Sequence, residues 1–246
     1  MQITKNIFIL LGISLLMSCA HKNPENNKTN VISPDAKPKG AGTVLTFTEK
    51  KRNETESLVR LIITDNFLRI DDGKDSNDYV LFHRKNKIIY NVVEDDKSVM
   101  VIRPKLKSYD AIKSIKWEIN SQQSNAVMRS EKTSTNSVMH YEIRLDGKKC
   151  YNVVSIDNFL SDELNAIKEY RRSLANELYS NFRPEEGERC YEAINILDPL
   201  HHLQFGFPIR EWSAYGYQRF LVNYNENIIF PESLFTVPKN YMQFSL

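Results

Sequence analysis

Six short segments rich in Val, Ile, Thr, Phe and Tyr follow one another early in the chain, and they constrain the fold more than any other feature. The polar breaks between them are short, as at 51–56 and at Asp95-Asp96. Breaks of this length join antiparallel neighbours, because parallel strands need a crossover of a dozen or more residues. We therefore predict an antiparallel meander with strands at 43–50, 57–64, 66–71, 78–85, 87–94 and 97–104.

Further strand-like segments follow the meander. The runs 137–145 and 149–157 flank Asp146-Gly147, a pair that favours a tight hairpin turn. Residues 113–120 form a weaker strand candidate, and 121–136 have the composition of a loop. Three more strands are predicted near the end of the chain, at 207–216, 218–227 and 233–238.

The hydrophobic period changes between these groups of strands. Apolar residues spaced by four, three, seven and four positions predict one face of a helix over 160–182, and they are Leu160, Leu164, Ile167, Leu174 and Leu178. A second, shorter helix would place Cys190, Ile194 and Leu197 on one face. Strands grouped apart from helices are typical of the α+β class.

The N-terminus has the layout of a secretory signal peptide. Its apolar run, residues 7–17, is too short to cross a bilayer, which takes about 20 residues. A positive charge at Lys5 precedes the run, and small residues follow it. An ordinary signal peptide that is cut elsewhere stays open as an alternative to the interpretation below.

The stretch Leu16-Met17-Ser18-Cys19 resembles the lipobox of bacterial lipoproteins. This resemblance implies a signal peptide at 1–18, a diacylglycerol on Cys19 and further acylation of the new N-terminus. Several acyl chains on one residue would anchor the protein firmly in a membrane. Ala20 in place of an aspartate implies the outer membrane, and we expect the protein on its periplasmic side.

The remaining residues divide into a tether and one domain. Residues 19–39 are polar and contain three prolines, which predicts a flexible tether before a domain at 40–246. The formal net charge is +2 with the two signs mixed, so no nucleic-acid partner is expected. Cys150 and Cys190 form an even pair that we expect to be a disulfide in an oxidising periplasm, the alternative being two buried thiols.

The end of the chain carries the clearest likeness to a known domain. Its segment 206–241 reads GFPIREWSAYGYQRFLVNYNENIIFPESLFTVPKNY, and it resembles the end of lipoprotein-carrier-like domains of the LolA/LolB type. The resemblance implies an α+β fold with a strongly curved antiparallel sheet, an open half-barrel, and helices packed on its concave face. It also implies that acyl chains or other apolar ligands bind between sheet and helices.

No pattern in the sequence indicates catalysis, a cofactor or a metal. The chain has no G-x-S-x-G, S-x-x-K or H-E-x-x-H motif and no glycine-rich phosphate loop. His201 and His202 lie near Asp198, but adjacent histidines diverge on a helix, so we expect a surface turn there. A hydrolase with an unrecognised site is the least favoured hypothesis.

Several strands are apolar on both sides, which favours binding. One side of the second strand carries Val59, Leu61 and Ile63, and the other carries Leu58 and Ile62. Two apolar faces need two covers, and the second cover is packing within the chain, a ligand or a partner. Candidate cavity liners lie at 57–63, 88–93 and 99–102 and on the helix 160–182.

The function predicted from these features is a non-enzymatic, lipid-anchored envelope protein that binds a lipid or the acyl chains of a lipoprotein. The alternative is a structural or protein-interaction module of the outer membrane that holds no small ligand.

Overall fold

The computed structural model describes residues 40–74, 77–104, 115–124, 137–180 and 189–245. The strands are β1 (Ala41–Lys50), β2 (Ser57–Ile63), β3 (Phe67–Asp71), β4 (Tyr79–His83), β5 (Ile88–Val93), β6 (Ser98–Ile102), β7 (Trp117–Gln123), β8 (Val138–Leu145), β9 (Lys148–Ile156), β10 (Phe207–Ser213), β11 (Gln218–Ile229) and β12 (Met242–Ser245). The helices are α1 (Ser161–Ser180) and α2 (Arg189–Glu192), and α2 continues into a π-helix, Ala193–Leu197. Two 3₁₀ turns lie at His201–Leu203 and Glu232–Phe235.

All twelve strands belong to one sheet, in the order β12-β6-β5-β4-β3-β2-β1-β11-β10-β9-β8-β7. The six early strands lie within two residues of their predicted bounds and form the predicted meander. The pair β1–β11 joins this meander to the later strands. The hairpin β8–β9 turns through Asp146 and Gly147, both at positive φ, as the sequence predicted.

The predicted fold, a strongly curved antiparallel half-barrel with helices on its concave face, is wrong. The sheet is mixed, because β12 runs parallel to β6, and it extends over twelve strands without closing into a barrel. Among the described residues there is also no pair of long helices to cover the sheet, since α2 has only four residues before it continues into the π-helix. The periodicity of the sequence predicts single strands and hairpins, because these involve residues that are close together in the chain. The number of strands in the sheet and the parallel pairing of β12 depend on contacts between residues far apart in sequence.

Helix α1 packs against the sheet through the apolar face that its leucine spacing predicted. Leu160, Leu164 and Ile167 join the largest hydrophobic cluster together with side chains from the meander. The hydroxyl of Thr43 in β1 donates a hydrogen bond to Glu163 Oε1 at 2.6 Å, which fixes the first turn of the helix to the sheet. Within the described ranges, no helix is long and apolar enough to cross a membrane.

Candidate functional site

The side chains predicted to line a cavity do come together, but they pack against one another. Leu164 and Ile167 of α1 share one cluster with Val59, Ile89 and Met100 of the sheet. All five are buried. The space between α1 and these strands is therefore filled by side chains, as in an ordinary close-packed core.

The opposite side of the same strands is covered by the end of the chain, residues 230–241, which we call the C-terminal strap. In β4, Phe82 packs with the α1 cluster, whereas Leu81 packs with a second cluster that includes Val99. Phe235, Val237 and Tyr241 of the strap complete this second cluster. The ring of Phe235 stacks on Phe67 with centroids 5.3 Å apart. Each apolar face of the meander thus has its own cover within the chain.

Hydrogen bonds to backbone carbonyls of the strap hold it in place. Arg69 Nη1 donates to the carbonyl of Leu234 at 2.9 Å, and the hydroxyl of Tyr79 donates to the carbonyl of Thr236 at 2.7 Å. Arg69 Nε also donates to Asp71 at 2.8 Å. Burial alone would raise the pKa of Asp71, but hydrogen bonds from Arg60 and Arg69 outweigh it and lower that pKa. The strap is therefore attached through hydrogen bonds from Arg69 and Tyr79 as well as through apolar contacts.

A surface cavity of about 510 Å³ lies between α1 and the turns that follow β2 and β4. Its lining is polar and mostly charged, and consists of Asp65, Arg84, Asp162, Asn165, Lys168, Glu169 and Arg172. Of these residues, Glu169 pairs with Arg84 at 3.1 Å, and it also pairs with Lys87, outside the lining, at 3.1 Å. Burying an acyl chain against such a lining would leave charges without water, so this cavity suits a polar ligand only.

A smaller cavity of about 300 Å³ lies over β8 and β9. It is lined by Ser137, Met139, Tyr141, Ser155, Asp157, Gln204 and Phe205. The rings of Tyr141 and Phe205 stack with centroids 4.2 Å apart, and Ser155 Oγ donates to the carbonyl of Phe205 at 2.7 Å. The cavity is at the lower end of the range of small-molecule sites.

A buried polar network connects β1, β9, β10 and β11. Tyr151 donates through its hydroxyl to Glu211 Oε1 at 3.1 Å. Tyr217 donates likewise to Glu49 Oε1 at 3.2 Å. The guanidinium of Arg219 lies 3.1 Å from the same oxygen of Glu49. The network thus holds two carboxylates beside one arginine inside the protein.

His202 completes this network and was not expected there. Its side chain is fully buried, with Nε2 at 3.5 Å from Glu211 Oε1, and neither ring nitrogen has a hydrogen-bond partner. Burial, reinforced by the positive charge of Arg171, lowers the pKa of His202 well below its ordinary value. Burial also raises the pKa of Glu211. The pair has the shifted pKa values that are common at active sites, but its burial leaves no room for a substrate.

The expected surface turn at His201 and His202 is therefore wrong for His202. The side chain of His201 is only 11% exposed, stacks on Trp117 with centroids 4.7 Å apart, and lies 3.3 Å from Asp198. The 3₁₀ turn at His201–Leu203 sends the two rings in different directions. No group of three or more His, Cys, Asp or Glu side chains able to hold a metal occurs among the described residues.

The predicted disulfide is confirmed. Cys150 at the start of β9 bonds to Cys190 in α2, with Cα atoms 5.1 Å apart. It ties the short helical segment to the sheet beside a third cluster, which includes Tyr151 and Ile194. The predicted lipidation site Cys19, the signal peptide at 1–18 and the tether at 19–39 lie outside the described residues.

No protein-family model matches this chain, and no curated protein sequence matches it. An uncharacterized conserved protein from Thermus thermophilus is similar in structure over 84% of this chain and 91% of its own, with 10% identity and a TM-score of 0.42. PNGF-II, in its C2 crystal form, is similar over 84% of this chain and 31% of its own, with 6% identity and a TM-score of 0.40. This chain spans about a third of PNGF-II. Likenesses this weak carry no conclusion about fold or function.

Proposed function

We propose that this chain is a non-enzymatic module of the bacterial envelope that is anchored by a lipid on Cys19 and acts by binding another protein through its surface. The anchor is inferred from the stretch Leu16-Met17-Ser18-Cys19. The outer membrane, on its periplasmic side, is the proposed location. No nucleic acid and no cofactor enter the proposal.

One observation supports surface binding over carriage of a lipid. Both apolar faces of the meander are covered by the chain itself, by α1 on one side and by the C-terminal strap on the other. The two cavities described above have polar or mixed linings and lie outside the α1 cluster. A lipid would therefore have to displace a packed element before it could enter.

Binding of an apolar ligand stays a prediction, and it would require a change in the packing of the protein. Helix α1 would have to separate from the sheet and expose Leu164, Ile167 and their partners. Each fully exposed side chain of this kind costs about 1.5–3 kcal/mol, which the ligand would have to replace by its own contacts.

Native mass spectrometry of residues 40–246, exported to a periplasm and mixed with palmitate and phospholipid, tests the choice between these functions. The proposal expects the bare mass of the polypeptide. A mass excess that dissociates as a lipid would contradict it and support the cavity hypothesis. A spectrum under denaturing conditions separates bound lipid from covalent modification.

The anchor is tested separately in the full-length chain. Metabolic labelling with an alkyne fatty acid should mark the wild-type protein and leave a Cys19→Ser variant unmarked. Equal labelling of both proteins, or labelling of neither, would contradict lipidation at Cys19.

A further inference from the structure

Among the described residues, strand β7 ends the sheet, and it has no proline, lysine or bulge of the kind that often protects an edge. It pairs with β8 over seven consecutive residues without a register shift. It contains no Pro and no Lys, and all of its side chains except Trp117 are exposed. In the part of the chain that the structure describes, no strand pairs with its outer side. Its outward N–H and C=O groups can therefore accept another strand.

The other edge of the sheet differs in these respects. Strand β12 has only four residues, and Pro238 and Lys239 shortly precede it. Short edge strands with nearby Pro and Lys are typical of edges that resist pairing. The contrast singles out β7 as the edge that is suited to association.

We propose that β7 pairs antiparallel with β7 of a second copy of this chain, with the two-fold axis at Asn120. In this register Asn120 faces its own counterpart, Glu118 faces Gln122, and Ile119 faces Ser121. All seven residues of each strand are then paired, and any shift shortens the ladder. Such a two-fold contact is the commonest form of association between identical chains.

The charges on β7 fit this register. Glu118 is its only charged residue, and it faces the neutral amide of Gln122. The two copies of Glu118 lie four positions apart along the pair, or about 13 Å, so their repulsion is largely screened. A register centred on Glu118 would instead place two carboxylates directly opposite each other, which is unfavourable.

The apolar side chain of β7 also gains a partner. Ile119 is 41% exposed and lies on the same face as Ser121. In the proposed register the two copies of Ile119 are diagonal neighbours, at a spacing within reach of long side chains. The pairing therefore covers an exposed apolar group, and it does not depend on the lipid anchor or on any other partner.

Cysteine cross-linking of the full-length chain tests the register. A single Asn120→Cys substitution places two thiols across the axis, where Cα atoms of facing residues are about 4.5–5.5 Å apart and a disulfide fits. Mild oxidation should give a dimer of twice the chain mass that a reductant reverses. Glu118→Cys alone should give none, whereas a mixture of Glu118→Cys and Gln122→Cys chains should cross-link. The wild-type chain controls for Cys19, Cys150 and Cys190.

Sedimentation of unmodified chains gives an independent measurement. The wild-type chain should sediment as a dimer that dissociates on dilution. Ile119→Lys should raise the dissociation constant at least about tenfold, because two ammonium groups then meet at the axis. The substituted side chain is exposed, so the far-ultraviolet circular dichroism should not change.

A monomeric wild-type chain without an Asn120→Cys cross-link would overturn the proposal. A cross-linked band of a mass that is not twice the chain would also overturn it, and would assign the β7 edge to a strand of a different protein.

Discussion

Nε2 of His202 lies 3.5 Å from Oε1 of Glu211, and both side chains are buried. Burial lowers the pKa of His202 below 6.5 and raises the pKa of Glu211 above 4.5. The folded protein therefore keeps the imidazole of His202 neutral. As the pH falls, the carboxylate of Glu211 binds a proton at a higher pH than a free glutamate would. In the unfolded chain His202 binds the first proton, so the contributions of the two groups to the pH dependence of stability oppose each other.

Replacing Glu211 should expose the acid sensitivity of His202. Because the folded pKa of His202 is depressed, its contribution to stability is complete above pH 6.5 and is lost as the pH falls. We expect the free energy of unfolding of Glu211→Gln to fall with pH by up to about 1.4 kcal/mol per unit more than that of the wild type. Urea denaturation at several pH values between 7.5 and 4.5 measures this slope.

The matched variant His202→Phe should behave in the opposite way. Glu211 then titrates without the histidine, and its raised pKa makes the folded state bind a proton before the unfolded state does. The stability of this variant should increase relative to the wild type as the pH falls towards 4.5. Parallel pH curves for all three proteins would rule out this role of the pair.

Arg219 and Glu49 form a neighbouring ion pair, and we expect each charge to offset the cost of burying the other. Arg219 lies 3.1 Å from Glu49 and 3.8 Å from the centre of the Phe47 ring. We expect Arg219→Met to cost about 3–5 kcal/mol, because it leaves the buried carboxylate of Glu49 without a positive charge beside it. Adding Glu49→Gln to the Arg219→Met variant should lower the free energy of unfolding much less than Glu49→Gln lowers it in the wild type. A double-mutant cycle measures this coupling, and strict additivity would show that the two groups act independently.

The early strands and helix α1 could be predicted because their signals are local. Alternation within strands, short polar breaks and the spacing from Leu160 to Leu178 each refer to residues close in sequence. The segment 233–238 has the composition of a strand, yet Glu232–Phe235 forms a 3₁₀ turn. Its apolar side chains instead cover β3–β6. This packing depends on contacts with residues such as Phe67, more than 150 positions away, which a local pattern does not show.

The polar network was missed for a related reason. In β10 the buried residues Ile209, Glu211 and Ser213 alternate with the more exposed Arg210 and Trp212. A charged residue at a buried position of this pattern was the available signal. Nothing local shows which of His201 and His202 turns inward. Periodicity also placed the cavity liners correctly on facing elements, but whether such side chains leave a cavity depends on their fit, which periodicity does not contain.

The disulfide between Cys150 and Cys190 should contribute measurably to stability. Its two residues are 40 positions apart, and closing a loop of that length restricts the unfolded chain by about 4 kcal/mol in the chain-entropy model. We expect a Cys150→Ala/Cys190→Ala variant to unfold at lower urea concentration by a corresponding amount. The wild type measured with and without reductant is the control, and an unchanged midpoint in reductant would contradict the expectation.

The C-terminal strap should stabilise the meander through Phe235. This ring is half-buried, stacks on Phe67 and contacts Phe230 edge-on. We expect Phe235→Ala to lower the free energy of unfolding by about 2–3 kcal/mol, less than for a fully buried phenylalanine. Met242→Ala is the matched control, because Met242 follows the strap and is 68% exposed, so its loss should change stability by under about 0.5 kcal/mol. Equal urea midpoints for the two variants would mean that the strap lies on the sheet without stabilising it.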